Sequence, residues 1–175
     1  MQVYLVRHTE TVCEKGICYG QSDVALMSDF EPNFITIKKQ LPEKAIVFSS
    51  PLIRCTQLAT YCYPDDTLIL EPRLMEMNFG SWELQAWSSI PENELNPWME
   101  DFVKVPVPQG ESFEILYDRV VAFWNEIRLQ HSDIPIVIFT HAGVIRSLNC
   151  HFTQLPLQDA FTLKVDFGEV ITYSF

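Results

Sequence analysis

The stretch Val3-Tyr4-Leu5-Val6-Arg7-His8-Thr9 runs from a short β-branched and aliphatic segment into a polar corner, and two later stretches repeat that layout. Ala45 to Phe48 leads into Ser49-Ser50-Pro51, and Ile136 to Phe139 leads into Thr140-His141-Ala142-Gly143. Each corner is followed by a helical pattern, so the chain alternates strand and helix, which indicates an α/β fold. In an open parallel sheet the ligand crevice lies at the carboxyl ends of the strands. Three corners far apart in sequence can therefore converge on one pocket.

Spacing places the elements between the corners. Phe30, Phe34, Ile37 and Leu41 share one face of a helix expected to be capped by Ser28 or Asp29. Pro51 suits the first position of a helix capped by Ser50, with Leu52, Cys55, Ala59 and Cys62 facing inward. Arg54 sits off that face, which predicts a guanidinium free to turn towards the crevice near a helix N-terminus that favours anions. Asp65-Asp66 after Pro64 reads as a turn. A helix from about Ser112 to Gln130 turns Leu116, Val120, Phe123 and Ile127 inward, and another begins at Gly143 and runs to His151. Phe161 to Phe167, Gly168-Glu169 and Val170 to Phe175 read as a hairpin or a pair of edge strands. Between Gly80 and Gly110, Trp82, Trp87 and Trp98 stand among prolines and acids. That segment reads either as an excursion over the active site or as a surface subdomain packed on its tryptophans.

A chain of 175 residues fits one domain with a full core. A net charge of -11 disfavours nucleic acid and anionic membranes as partners, since both need clustered Lys and Arg. A small phosphate ester is compatible with it, because local arginines outweigh a distant negative field screened within about 8 Å. The start at Gln2-Val3-Tyr4-Leu5-Val6 has no basic leader or signal-like apolar region, so a cytoplasmic location is expected. Cys13, Cys18, Cys55, Cys62 and Cys150 form an odd set without CxxC spacing, which fits reduced thiols. No metal-ligand set is visible, no run reaches the roughly 20 apolar residues of a membrane helix, and assembly as a homodimer is left open.

Arg7-His8 carries the chemistry that the first corner offers. Imidazole is a nucleophile and base near neutral pH, and a planar guanidinium holds a phosphoryl group bidentately. Together they suit phosphoryl transfer through a covalent phosphohistidine. Alone, a His-Arg neighbour pair fits a surface or capping role at least as well, so its meaning depends on what else joins it.

Leu5-Val6-Arg7-His8-Thr9-Glu10-Thr11, Ser49-Ser50-Pro51-Leu52-Ile53-Arg54, Glu76-Met77-Asn78-Phe79-Gly80-Ser81-Trp82-Glu83 and Thr140-His141-Ala142-Gly143-Val144-Ile145-Arg146 together resemble the histidine phosphatase superfamily. The resemblance implies a single domain over residues 1–175. Its fold would be a three-layer α/β sandwich: a mostly parallel sheet flanked by helices, with an antiparallel edge and a helical excursion over the active site. It further implies a phosphohistidine intermediate and neither metal nor other cofactor. His8 resembles the nucleophile, attacking as neutral imidazole with its other ring nitrogen held by a hydrogen bond. Arg7, Arg54 and His141 resemble the phosphate pocket, placing positive charge on the equatorial oxygens and favouring neutral His8. Glu76 resembles the proton donor that then activates water. The small Ala142 and Gly143 let the backbone N–H groups of the next helix approach phosphate.

Two positions depart from the family pattern: Thr9 stands where Gly or Ala is usual, and Glu14 where an Asn often touches phosphate. Lys15 to Leu26, with Tyr19, Gly20 and Gln21, is similar to the loop of α-ribazole phosphatases, which act on α-ribazole 5'-phosphate. Thr9, Thr11, Tyr19, Gly20, Gln21 and Ala142 are accordingly expected to bind substrate, with Tyr19 and the three tryptophans forming an aromatic wall for a flat base. A broad phosphatase or a mutase of the same superfamily is the alternative, and a phospholigand-binding module without activity is a third reading.

Overall fold

A computed structural model describes residues 1–131 and 134–175. Strands β1 (Gln2–Arg7), β2 (Ile46–Ser49), β3 (Leu68–Leu70), β4 (Ile136–Thr140) and β5 (Val170–Ser174) form one sheet in the order β3-β2-β4-β1-β5. β1 pairs in parallel with β4, as does β2, and β3 is parallel to β2. β5 runs antiparallel along β1, with Val6 opposite Val170. Strand β4 lies at the centre and is buried throughout, which is why Ile136-Val137-Ile138-Phe139 is continuously apolar rather than alternating.

Period-two alternation divides the strands between two cores. Val3 and Leu5, Phe48, and Ile136 and Ile138 face helices α4 (Phe113–Gln130) and α5 (Ala142–Thr153), meeting Leu116, Val120, Phe123, Ile127, Val144, Ile145 and Leu148. Val6, Val47, Val137 and Phe139 face α1 (Glu31–Lys38) and α2 (Ile53–Cys62), meeting Phe34, Ile37, Cys55, Leu58 and Ala59. Helices on both faces make the three layers. None of the described helices is long and apolar enough to cross a membrane.

Several sequence expectations shift. Helix α1 starts at Glu31, with Phe30 at its N-cap position, so neither Ser28 nor Asp29 caps it; Leu41 falls past its end yet still packs on the core. Helix α2 starts at Ile53, two residues after Pro51, because Asp23 Oδ1 accepts from Ile53 N at 2.8 Å and caps it from a distant loop. Ser50 Oγ accepts only a long bond from Leu52 N, 3.4 Å. Of the expected C-terminal hairpin or pair of edge strands, one edge strand forms, Val170–Ser174 against β1, while Leu157–Thr162 is a 3-10 helix and 163–167 is irregular. Strand β3 was not anticipated. The 80–110 segment consists of short 3-10 turns at Gly80–Trp82 and Trp87–Ser89 followed by α3 (Glu92–Glu100).

Ser112 caps α4, its buried side chain accepting from Ile115 N at 3.3 Å. Ser112→Ala should cost about 1 kcal/mol and lower the melting temperature by roughly 2–4 °C for a domain of this size, read by calorimetry.

Candidate active site

The parallel pairing lays the three corners side by side. His8 N donates to Thr140 O at 3.1 Å, Ser50 N to Phe139 O at 2.9 Å, and Gly168 N, on the turn into β5, to His8 O at 3.1 Å. The backbone of His8 is thus fixed from both sides. A pocket of about 200 Å³ opens there, lined by Arg7, His8, Arg54, Glu76 and His141, with Tyr19, Phe79 and Trp87 opposite. A roomier groove of about 400 Å³ near Lys38, Tyr63 and Asp66 gathers no such set.

His8 is 3% exposed. Its Nδ1 donates to Thr9 O at 2.8 Å; since a carbonyl only accepts, the proton sits on Nδ1 and Nε2 keeps its lone pair. Burial, and then the field of Arg54 and Arg7, lower its pKa to about 3 against the opposing Thr9 bond. His141 lies 5.2 Å away in an edge-on arrangement, with Nε2 2.8 Å from Ser50 Oγ. Complete burial first, then His8 and the arginines, hold it well below the ordinary histidine range. His141 is therefore neutral, not the positive charge expected from the motif, and the arginines supply the cationic field.

The two guanidiniums are held by backbone carbonyls. Arg7 Nη1 donates to Val165 O at 2.6 Å, and its carbon lies 3.8 Å from the ring centre of Phe167. Arg54 donates through Nη1 to Ser22 O at 2.8 Å and through Nη2 to Gly20 O. Arg54 turns into the crevice as expected, although it is not off the buried face: at 0% exposed it is as buried as Cys55 beside it. Among the described residues neither guanidinium is in an ion pair, and the Nε of each is buried without a partner. A buried and a partly buried cation whose hydrogen-bond partners are neutral carbonyls make a site that an oxyanion completes.

Glu76 approaches from the loop after the 3-10 turn Pro72–Leu74. Its Oε1 accepts from Met77 N at 3.0 Å and its Oε2 from Gly143 N at 3.1 Å, at the start of α5. A Cβ on Gly143 would lie 2.2 Å from Glu76 Oε1, so only glycine lets the carboxyl group sit there. The expected substrate-binding residues divide. Tyr19 lines the pocket, its hydroxyl 3.0 Å from Thr11 Oγ1. Thr9, Thr11 and Ala142 are buried away from its walls. Gly20 and Gln21 act through their backbones, and Gln21 Nε2 donates to Glu76 O at 3.0 Å. Glu14 is exposed and lines nothing, while Ile17 of the same loop does.

A second cavity of about 220 Å³ continues from the first, sharing Tyr19, Glu76, Phe79 and Trp87. Trp87 and Trp98 stack in its wall at 5.8 Å, with Phe102, Phe113 and Phe161 completing it. Trp82 is not in that wall: it is core, its Nε1 donating to Glu94 at 2.9 Å.

The pattern described as histidine phosphatase superfamily (branch 1) matches residues 3–175. The chain belongs to this superfamily, and it is an enzyme with phosphatase or mutase activity. A probable phosphoglycerate mutase of Escherichia coli is 34% identical over 190 residues, covering 97% of this chain and 86% of that protein. A Hydrogenobacter thermophilus protein provisionally named phosphoserine phosphatase 2 is 30% identical over 174 residues, covering 94% and 85%. The crystal structure of the α-ribazole phosphatase from Shigella flexneri superposes with a TM-score of 0.89 over 98% of this chain and 89% of that chain, at 23% identity, which speaks to the fold alone.

Within that superfamily fold, Glu83 does work that the sequence reading left undescribed. Its carboxylate accepts from the backbone N–H groups of Gly20, Gln21, Ser22 and Phe79 and from Ser22 Oγ. Burial raises its pKa, but these bonds together outweigh burial and the net shift is downward. The loop it holds is the one whose carbonyls grip Arg54.

The neutral histidines give stability a pH signature. Above pH 6.5 neither fold nor unfolded chain protonates them; below it the unfolded chain takes up protons that buried His8 and His141 refuse, until His8 titrates near 3. Stability is therefore lost as pH falls, by about 1.4 kcal/mol per pH unit for His8, with His141 adding in the same direction. Urea unfolding between about pH 6 and 4 should show a slope shallower by that amount in His8→Asn than in wild type.

Proposed function

We propose that this protein is a metal-independent phosphomonoesterase that hydrolyses α-ribazole 5'-phosphate through a phosphohistidine at His8. The observation that carries the reading is the join between the cationic pocket and the aromatic compartment, which share Tyr19, Glu76, Phe79 and Trp87. A phosphate bound to Arg7 and Arg54 points its ester oxygen towards Glu76 and leaves the alcohol beyond it among aromatic faces. A flat base suits such walls. The loop from Lys15 to Leu26, similar to that of α-ribazole phosphatases, supports the same choice.

The chemistry follows from the atoms in place. Nε2 of neutral His8 attacks phosphorus; the N–P bond forms as the P–O ester bond breaks, and Glu76 in its acid form protonates the departing oxygen. The Arg7 and Arg54 guanidiniums stabilise charge on the equatorial oxygens, with His141 a neutral hydrogen-bonding neighbour. The Glu76 carboxylate then takes a proton from water, whose oxygen attacks phosphorus; the P–O bond forms as the N–P bond breaks with its electron pair returning to His8 Nε2, inorganic phosphate leaves, and both His8 and the Glu76 acid are restored.

Assays with EDTA present should compare α-ribazole 5'-phosphate, phosphoserine, 3-phosphoglycerate and 4-nitrophenyl phosphate. Burying about 100 Å² of ring at ~25 cal/mol per Å² is worth about 2.5 kcal/mol, so kcat/KM should favour α-ribazole 5'-phosphate roughly 70-fold over the small acids. Equal values would make the protein a broad phosphatase, phosphate moved between hydroxyls of phosphoglycerate would make it a mutase, and activity lost to EDTA would remove the metal-independent mechanism.

A further inference from the structure

Glu76 reaches the pocket from a loop, and among the described residues its carboxyl group is held by Met77 N and Gly143 N. A proton carrier needs tighter placement than two backbone donors give, and the placement comes from behind. Arg119, on α4, reaches under the loop and donates through Nη1 to Arg73 O at 2.7 Å and Met75 O at 2.8 Å. Through Nη2 it donates to the carbonyl of Glu76 itself at 2.9 Å. Glu111 locks the fork: its Oε1 accepts from Arg119 Nε at 2.7 Å and its Oε2 from Nη2 at 2.9 Å. Glu111 also grips the far side of the loop, accepting from Asn78 N at 2.8 Å and donating its own N–H to Asn78 O at 2.8 Å.

The guanidinium thus meets three carbonyls of the 73–76 segment on one side, and its partner carboxylate meets the residue two after Glu76 on the other. Both partners are mostly buried, with side chains 19% and 15% exposed. We propose that Arg119, clamped by Glu111, is a positioning residue for proton transfer: it sets where the Glu76 carboxyl group stands against Gly143 at the start of α5. The inference rests on the role proposed above for Glu76.

A staple that merely holds the fold together would depress every reaction alike, whereas a positioning residue acts only where a proton must be delivered. Phenyl phosphate expels a basic phenolate that needs a proton, and 2,4-dinitrophenyl phosphate expels one that does not. The measurement is phenol release in the first turnover, by rapid mixing, for Arg119→Lys, Glu111→Gln and Glu76→Gln. Arg119→Lys should slow phenyl phosphate about ten- to a hundredfold, a part of what general acid catalysis supplies, and leave dinitrophenyl phosphate within about threefold with KM unchanged. Glu111→Gln, which keeps Arg119 and an amide partner, should show a smaller split in the same direction. Equal losses on both esters, or failure of both variants to fold, would overturn the inference in favour of a purely structural staple. Glu76→Gln separates the two levels: a strong split there without one in the Arg119 and Glu111 variants defeats only the positioning role, and no split in Glu76→Gln defeats the role of Glu76.

Discussion

Two guanidiniums, one buried and one partly buried, without an ion-pair partner among the described residues are the constraint around which the site is organised. Burying a cation costs several kcal/mol unless hydrogen bonds and an opposite charge offset it. Arg7 and Arg54 receive the hydrogen bonds, from the carbonyls of Val165, Gly20 and Ser22, and no ion pair among the described residues. An acidic chain of net charge -11 thereby contains a small cationic chamber. Its field, added to burial, also holds His8 and His141 neutral. The same two charges that attract an oxyanion keep the imidazole beside them nucleophilic.

That chamber needs supports, and they are acids with local tasks. Glu83 ties down the loop that presents carbonyls to Arg54, and Glu111 fixes the guanidinium that carries the Glu76 loop. Each is one layer removed from the pocket. Neutral carbonyls touch the arginines while the carboxylates stand behind, so the cations stay uncompensated where substrate arrives. Gly143 completes the geometry by leaving room for Glu76 at the N-terminus of α5, where backbone N–H groups favour a carboxylate.

The three strand corners were legible because continuous or alternating apolar runs ending in polar turns have few other uses, and their convergence follows from a parallel sheet. The starts of α1 and α2 were not, because local caps were read where tertiary partners decide: Asp23, thirty residues upstream, caps α2. At the C-terminus Val170–Ser174 is the expected antiparallel edge strand, but Phe161 to Phe167 is not its partner, because only the long-range register with β1 selects one. Strand β3 spans only Leu68 to Leu70, too short to show a period. In the site, the residues with charged or nucleophilic tips stood out by type. Arg119 did not, since beside Glu111 its partners are the main-chain carbonyls of Arg73, Met75 and Glu76, which no sequence distinguishes. The signal available was a lone arginine one step from the inward Leu116-Val120 face of α4. Trp82 could not be separated from Trp87 and Trp98 by sequence, as all three have the bulk for core or wall.

Neutral His8, its Nδ1 engaged by Thr9 and its Nε2 free among two cations, is the account's centre, and covalent capture tests it most directly. Rapid quenching of the enzyme with radiolabelled α-ribazole 5'-phosphate should trap a phosphoprotein that is labile in acid and stable in base, with the label on the peptide containing His8. Undiminished labelling of a His8→Ala protein, or a label stable in acid and lost in base, would contradict it.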